Sequence, residues 1–246
     1  MSNINHEISP VDVIPHLSLD IFKDNPNSRF ATGLIGRGTD FSEGNEDVAN
    51  AYFELRGNVY IGQTRMLSPD TEGKKESDAD DERSTHFAVL ENMGTYQRLV
   101  ATMRIIHGGV MGKLPIEKFF PEIPYSTNSS GSAIEISRYI CRHEDLRLQN
   151  ALKWQLYPAA LAYVMHERLG PTYAVVEPPL ERSLIKSGVP IERIADPKYI
   201  PEYNDVNLGI LIDTQRLAEN IETVSPGAIS GIDLNRFNFI GDYEGF

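Results

Sequence analysis

Two apolar runs of strand character carry charges where a buried strand should have none. Leu99-Val100-Ala101-Thr102-Met103-Arg104-Ile105-Ile106 contains Arg104, and Ala133-Ile134-Glu135-Ile136-Ser137-Arg138-Tyr139-Ile140-Cys141 contains Glu135 and Arg138. A charge in the middle of a strand is costly to bury unless it is paired. One such residue fits a solvated sheet face as well as it fits a site. Three together, downstream of Asp78, Asp80, Asp81 and Glu82, point to a paired cluster. In a regular strand Glu135 and Arg138 face opposite sides, because their spacing is odd. They reach one site only if a β-bulge lies between them.

The remaining pattern places these strands in a mixed α/β chain. Residues 1–47 are rich in turn residues and read as an irregular N-terminal extension with short ordered pieces. Residues 47–61 show helical spacing, with Gly57 weakening the end. Residues 68–84 read as a polar loop. Residues 87–91 and 99–106 form a hairpin, 118–125 a loop and 126–132 a linker. A helix spans about 145–169 and stops at Gly170-Pro171; Pro158 leaves open one kinked helix or two. A strand at 173–177, a short helix at 179–186 and strands at 191–195 and 207–213 follow. Alternation along 133–141 puts Ile134, Ile136 and Ile140 on one face. This order is that of a sandwich with a largely antiparallel sheet. It carries no GxGxxG or GxxxxGK[ST] phosphate loop.

Composition removes several function classes. A chain of 246 residues with one cysteine can bury a core without disulfides, and the expected compartment is the cytoplasm. The first residues are polar, with no signal-peptide pattern, and no apolar run has the length of a membrane span. A net charge of −12 argues against a nucleic-acid surface. The histidines show no metal-ligand spacing, so no metal is expected.

The segment Glu135-x-Ser137-Arg138 followed by apolar residues resembles the signature of the acyl-homoserine lactone synthases, the autoinducer synthases of quorum sensing. The related N-acyl amino acid synthases share their core. The resemblance runs from about residue 50 to about residue 195. Arg56 with Tyr60 matches the family's N-terminal Arg and aromatic, and Asp78 and Asp81 match its two acidic residues three apart. His86-Phe87-Ala88-Val89, the run ending in Arg104, and Leu184 to Gly188 with Ile191 match its later elements. One ExSR is a weak signal; the ordered, spaced series is specific. The chain departs from the family at Met66, where a Trp is usual, and in its longer N-terminal extension.

The resemblance implies an α/β fold of α+β type. This is a GNAT-like three-layer sandwich whose mixed, mostly antiparallel central sheet is flanked by helices. The acyltransferase domain would span 48–215, with a tail at 216–246 packing on it. It implies an N-acyltransferase moving a fatty acyl group from acyl carrier protein to S-adenosylmethionine, giving an acyl-homoserine lactone. The substrates are then S-adenosylmethionine and an acyl-phosphopantetheine thioester, with no tightly bound cofactor. A long-chain N-acyl amino acid synthase, favoured by Met66, and a catalytically silent acyl-binding module are the alternatives.

Acyl transfer to an amine needs a deprotonated amine, a held thioester and a stabilised oxyanion. The implied catalytic set is Glu135, Arg104, Arg138 and Ser137. Glu135 is either the base, kept ionised by Arg104 or Arg138, or a buttress for the two arginines. The implied substrate-binding set is Arg56, Tyr60, Asp78, Asp81 and Met66. Asp78 and Asp81 suit a cationic acceptor, or belong to a solvated acidic loop. The phosphopantetheine arm would run between the strands at 133–141 and 173–177. Arg142, Arg147 and Lys153, with His143, would dock the acidic carrier, or serve solubility. Tyr157, Leu161, Tyr163, Val164 and Met165 would line an acyl pocket, or form ordinary core. Asp145 reads as a helix N-cap. Cys141 and His107 are not expected to act as nucleophiles.

Overall fold

The strand signals converge on one sheet. The computed structural model describes residues 22, 25–41, 46–63, 75–123, 133–236 and 238–240. Its strands are β1 (Phe30–Arg37), β2 (Asp40–Phe41), β3 (Ser84–Asn92), β4 (Gln97–His107), β5 (Ile134–Cys141), β6 (Thr172–Val176), β7 (Ile191–Ile200), β8 (Asp205–Ile212) and β9 (Asn238–Ile240). The order is β2-β1-β3-β4-β5-β6-β8-β7, with β9 on β1. Every pairing is antiparallel except β5 with β6. The helices are α1 (Glu46–Gly57), α2 (Pro115–Phe119), α3 (Leu146–His166), α4 (Pro178–Lys186) and α5 (Thr214–Val224). None of them is long and apolar enough to cross a membrane.

Helices cover both faces of the sheet. Leu152, Leu156, Ala159, Ala160, Tyr163 and Val164 of α3 pack on Phe87, Val89, Met103, Ile105 and Ile134. Val48, Ala51, Tyr52 and Leu55 of α1 cover Ala31, Ile35, Ala88, Leu90, Leu99 and Ile140 on the other face. Ile116 of α2 continues that layer over Ile106, Tyr173 and Ala195. Pro158 sits inside α3, which is one helix and is capped by Asp145 accepting the Arg147 N–H at 2.8 Å.

Several local expectations fail for identifiable reasons. Residues 30–37, expected as irregular, form β1, paired with β3, β2 and β9. The glycines there read as turn signals, but Gly36 serves close packing: a Cβ on it would lie 2.5 Å from Cδ1 of Phe41. The short α2 lies where a loop was expected from residue 118. It sits close to the sheet because Gly209 of β8 has no side chain; a Cβ there would meet Cδ1 of Ile116 at 3.2 Å. The strand beginning at Ile191 runs on to Ile200 through two register shifts. The polar loop contains a short 3-10 turn, Ala79–Arg83.

The face assignment on β5 also changes. Ile134 packs with α3, whereas Ile140 packs under α1. Even spacing should keep them on one face. Thr102 pairs with Ile140 and Arg104 with Ser137, so two steps on β4 oppose three on β5. The extra residue is the β-bulge that the charge pattern required. Arg138 within it has φ of 51°.

If β1 is part of the fold, the fully buried Ile35→Ala should lower unfolding free energy by about 2–4 kcal/mol. Urea titration checks this; a loss under 0.5 kcal/mol, the ordinary range of an exposed position, contradicts it.

Candidate active site

The bulge brings Glu135, Ser137 and Arg138 to the face of α1 and α2. Arg56 from the last turn of α1 and Arg104 from β4 arrive from the sides. Three arginines then meet three carboxylates. Arg56 donates through Nη1 and Nη2 to Asp81 at 2.7 and 3.1 Å, and through Nε to Glu76. Arg104 donates to Asp78 at 2.6 and 3.1 Å and to Asp81 at 2.7 Å. Its Nε donates to the Ser137 hydroxyl at 3.0 Å. Arg138 closes the set on Glu76 and Asp78, each at 2.8 Å. Its guanidinium lies 5.1 Å from the centroid of the Tyr60 ring.

The ring is neutral overall, which is why it can be buried. Arg56 and Arg104 are 0% and 1% exposed. Burial pushes Asp81 up, but Arg56 and Arg104 outweigh it and hold the carboxyl well below the usual range. Asp78 and Glu76 are lowered by the same balance. Bidentate pairing explains why arginine, not lysine, stands at these positions. Of the three carboxylates, Asp78 alone reaches open space: its side chain is 30% exposed, against 3% for Glu76 and 4% for Asp81. The acidic pair expected to face a cationic acceptor therefore divides. Asp78 is partly exposed, with both oxygens accepting from Arg104 and Arg138, and Asp81 is sealed in the frame.

Glu135 differs from the expectation that an arginine keeps it ionised. Among the described residues it makes no ion pair. Its Oε2 accepts the Ile116 N–H at 2.8 Å, at the start of α2. The arginine N–H groups already serve Glu76, Asp78, Asp81 and Ser137. Burial pushes Glu135 up to about 8, against the smaller opposing effects of the Ile116 N–H and Arg104. Burial therefore favours the protonated form of this carboxyl.

Beside this frame the sheet opens. β5 and β6 pair only at Ile134 with Thr172 and Glu135 with Tyr173. Beyond those pairs lies a cavity of about 550 Å3. Its polar lining includes Tyr60, Glu135, Ser137, Arg138, Glu177 and Tyr203. Its apolar lining includes Ile136, Tyr157, Leu161, Val164, Leu184 and Leu217. Of the residues expected at an acyl pocket, Tyr157, Leu161 and Val164 line the cavity. Tyr163 does not, because its hydroxyl is held by Thr85 and His107 at 3.0 and 3.2 Å. Met165 is exposed.

The expected docking face is only partly assembled. Arg142 lines the cavity and Arg147 is exposed on α3. His143 turns inward to Glu91, with Nε2 3.2 Å from its carboxylate. Met66 and the Lys153 side chain lie outside the described residues. Cys141 lines the cavity, whereas His107 joins the Thr85–Tyr163 cluster. Among the described residues no His, Cys, Asp or Glu group could hold a metal.

Three site residues escaped sequence reasoning. Glu76 was hidden in the polar loop; balancing three buried arginines required a third carboxylate, and that count could have found it. Glu177 looks like an ordinary residue before Pro178-Pro179. Tyr203 arrives through the β7–β8 turn, and nothing local marks it.

A family model described as autoinducer synthase matches residues 40–220. Among solved structures, the chain is similar to a CoA-dependent acyl-homoserine lactone synthase, BjaI, solved with MTA. The TM-score is 0.58 at 19% identity, over 79% of this chain and 89% of that one. The synthase LasI gives 0.54 at 17%, over 75% and 90%. FeeM, an N-acyl amino acid synthase from uncultured soil microbes, gives 0.51 at 14%, over 76% and 93%. No curated protein sequence matches.

Two measurements test this site. Asp81→Asn leaves Arg56 and Arg104 short of a buried partner and should destabilise the fold by about 3–5 kcal/mol. Urea titration at pH 7 reads it, and a loss under 1 kcal/mol contradicts the frame. Glu135 has the opposite pH signature to Asp81. Its folded pKa lies above the unfolded one, so the folded state binds the extra proton. Its contribution to stability is then lost as pH rises from about 4.5 through about 8. The stability of Glu135→Gln relative to the parent should therefore improve as pH rises from 5 to 8. A pH-independent difference contradicts the assignment.

Proposed function

The chain belongs to the autoinducer synthase family and is an acyltransferase, and from that premise we propose that it transfers a fatty acyl group from the phosphopantetheine arm of acyl carrier protein to the amine of S-adenosylmethionine, in the cytoplasm. The carboxylate oxygen of the acylated acceptor then attacks its γ-carbon, the bond from that carbon to sulfur breaks, and methylthioadenosine leaves to give an acyl-homoserine lactone. The observation that carries this reading is the cavity between β5 and β6, polar beside the arginine frame and apolar beneath α3. A linear acyl thioester has the same division of chemistry.

Each residue has a physical task in this reading. Arg56, Arg104 and Arg138 with their carboxylates form a rigid frame that needs no reorganisation when charge develops beside it. Ser137 fixes the Arg104 plane through Nε. Asp78 attracts the ammonium and sulfonium of the acceptor, and Tyr60, held under Arg138, offers a ring for its base. Glu135, protonated, positions α2 and stands as a hydrogen-bond donor at the cavity wall. Leu161, Val164 and Leu217 remove the acyl chain from water. Arg142 and Arg147 meet the acidic carrier.

The test is purified protein with S-adenosylmethionine and either acyl carrier protein thioesters or acyl-CoA, read by mass spectrometry. The expected products are an acyl-homoserine lactone and methylthioadenosine, formed faster from the carrier thioester. Equal or faster transfer from acyl-CoA, as the CoA-dependent neighbour's description suggests for that protein, overturns the donor assignment. Acylation of free amino acids and never of S-adenosylmethionine overturns the acceptor assignment.

A further inference from the structure

Deprotonation of the acceptor amine needs a base, and the expected one is unsuited. Glu135 is 1% exposed, and its Oε2 accepts the Ile116 N–H. Glu76, Asp78 and Asp81 are all engaged by arginines. Among the described residues lining the cavity, Glu135 and Glu177 are the two acidic ones. Glu177 follows the last residue of β6, the strand that bounds the gap. Its carboxylate has no hydrogen bond or ion pair among the described residues, and it does not cap α4 with its side chain. It is half-buried.

The wall around it is built for a polar ligand. Tyr203 lines the same cavity, with its ring held edge-on to Phe119 at 5.0 Å. Asn207 of β8 also lines it, is 2% exposed, and has an amide Nδ2 with no partner. A buried amide N–H without a partner awaits an acceptor atom.

We propose that Glu177 is the catalytic base, which takes the proton from the acceptor's ammonium. The inference rests on the acyl-transfer reading above. The ammonium gives one proton to the Glu177 carboxylate. The freed nitrogen pair attacks the thioester carbon, forming C–N, and C–S then breaks. A second nitrogen proton leaves with sulfur as the thiol, and Glu177 returns the first to water.

The charged surroundings suit this task. Burial raises the Glu177 carboxyl from its ordinary value, and Asp205 adds to it. Among the described residues, the other ionisable groups lining the cavity are Glu135, Arg138, Arg142, Cys141, Tyr60, Tyr139, Tyr157 and Tyr203; of the charged groups, Asp205 is the one that acts on Glu177. On its own helix, Glu181 is paired with Arg193. A base of raised pKa transfers protons more effectively near neutral pH.

The experiment measures transfer from pH 5.5 to 9 for the full chain, Glu177→Gln, Glu177→Asp and Glu135→Gln, with folding checked by thermal melts. Glu177→Gln should lower kcat by about 100-fold, with the KM of the acyl donor within about twofold. The acidic limb of its pH–rate profile should also move to higher pH, because deprotonation of the amine itself then sets it. The deficit should shrink at high pH, where the amine is already neutral. Glu177→Asp should fall between. Glu177→Gln with kcat within about threefold and an unchanged acidic limb overturns the proposal; so does a limb displaced only in Glu135→Gln. The acceptor reading fails separately, if the unsubstituted chain acylates another amine but never S-adenosylmethionine. The Glu177 comparison is then made on that amine with the same criteria.

Discussion

Three buried arginines cannot exist in this fold without three carboxylates to meet them. That constraint organises the site. Arg104 lies mid-strand, Arg56 ends a helix and Arg138 occupies a left-handed backbone position. Each would be unfavourable alone. Glu76, Asp78 and Asp81 come from the short segment before β3. They join all three, so the segment, α1 and the centre of the sheet form one unit. The φ of 51° at Arg138 is held by its two ion pairs and by the Thr102 hydroxyl donating to its carbonyl at 3.2 Å.

The bulge that aims Arg138 at this frame lies next to the divergence of β5 from β6. Strand pairing lasts two residues before the gap begins. Frame and cavity are therefore adjacent consequences of one irregular strand. The frame supplies fixed dipoles at the polar lining, and α3 supplies an apolar lining at residues 157, 160, 161 and 164, one face of a helix. The frame is internally satisfied, which makes it a poor proton acceptor. Proton chemistry falls to groups outside it, on the opposite wall.

Much of this arrangement was legible in the residues. Charges inside Leu99–Ile106 and Ala133–Cys141 demanded partners, and the odd spacing of Glu135 and Arg138 demanded a bulge; both are present. The resemblance to the synthase signature also marked Arg56, Asp78 and Asp81. What stayed hidden depends on distance in the chain or on competition for partners. Gly36 looks like a turn until Phe41 is seen against it. Glu135 was expected to pair with Arg104 or Arg138, yet those guanidinium groups donate to Glu76, Asp78, Asp81 and Ser137, and Glu135 accepts a backbone N–H of α2. Tyr203 and Asn207 reach the cavity only because β8 pairs with β6, a contact no local pattern encodes.

The most direct test is a crystal structure of the protein with a non-hydrolysable thioether analogue of an acyl-phosphopantetheine. The arm should lie between β5 and β6, with its amides along β5 and its carbonyl-bearing end near Ser137 and Arg138. The acyl chain should be packed among Tyr157, Leu161, Val164 and Leu217. An analogue bound elsewhere at saturating concentration, with the gap between β5 and β6 unoccupied, would contradict the account.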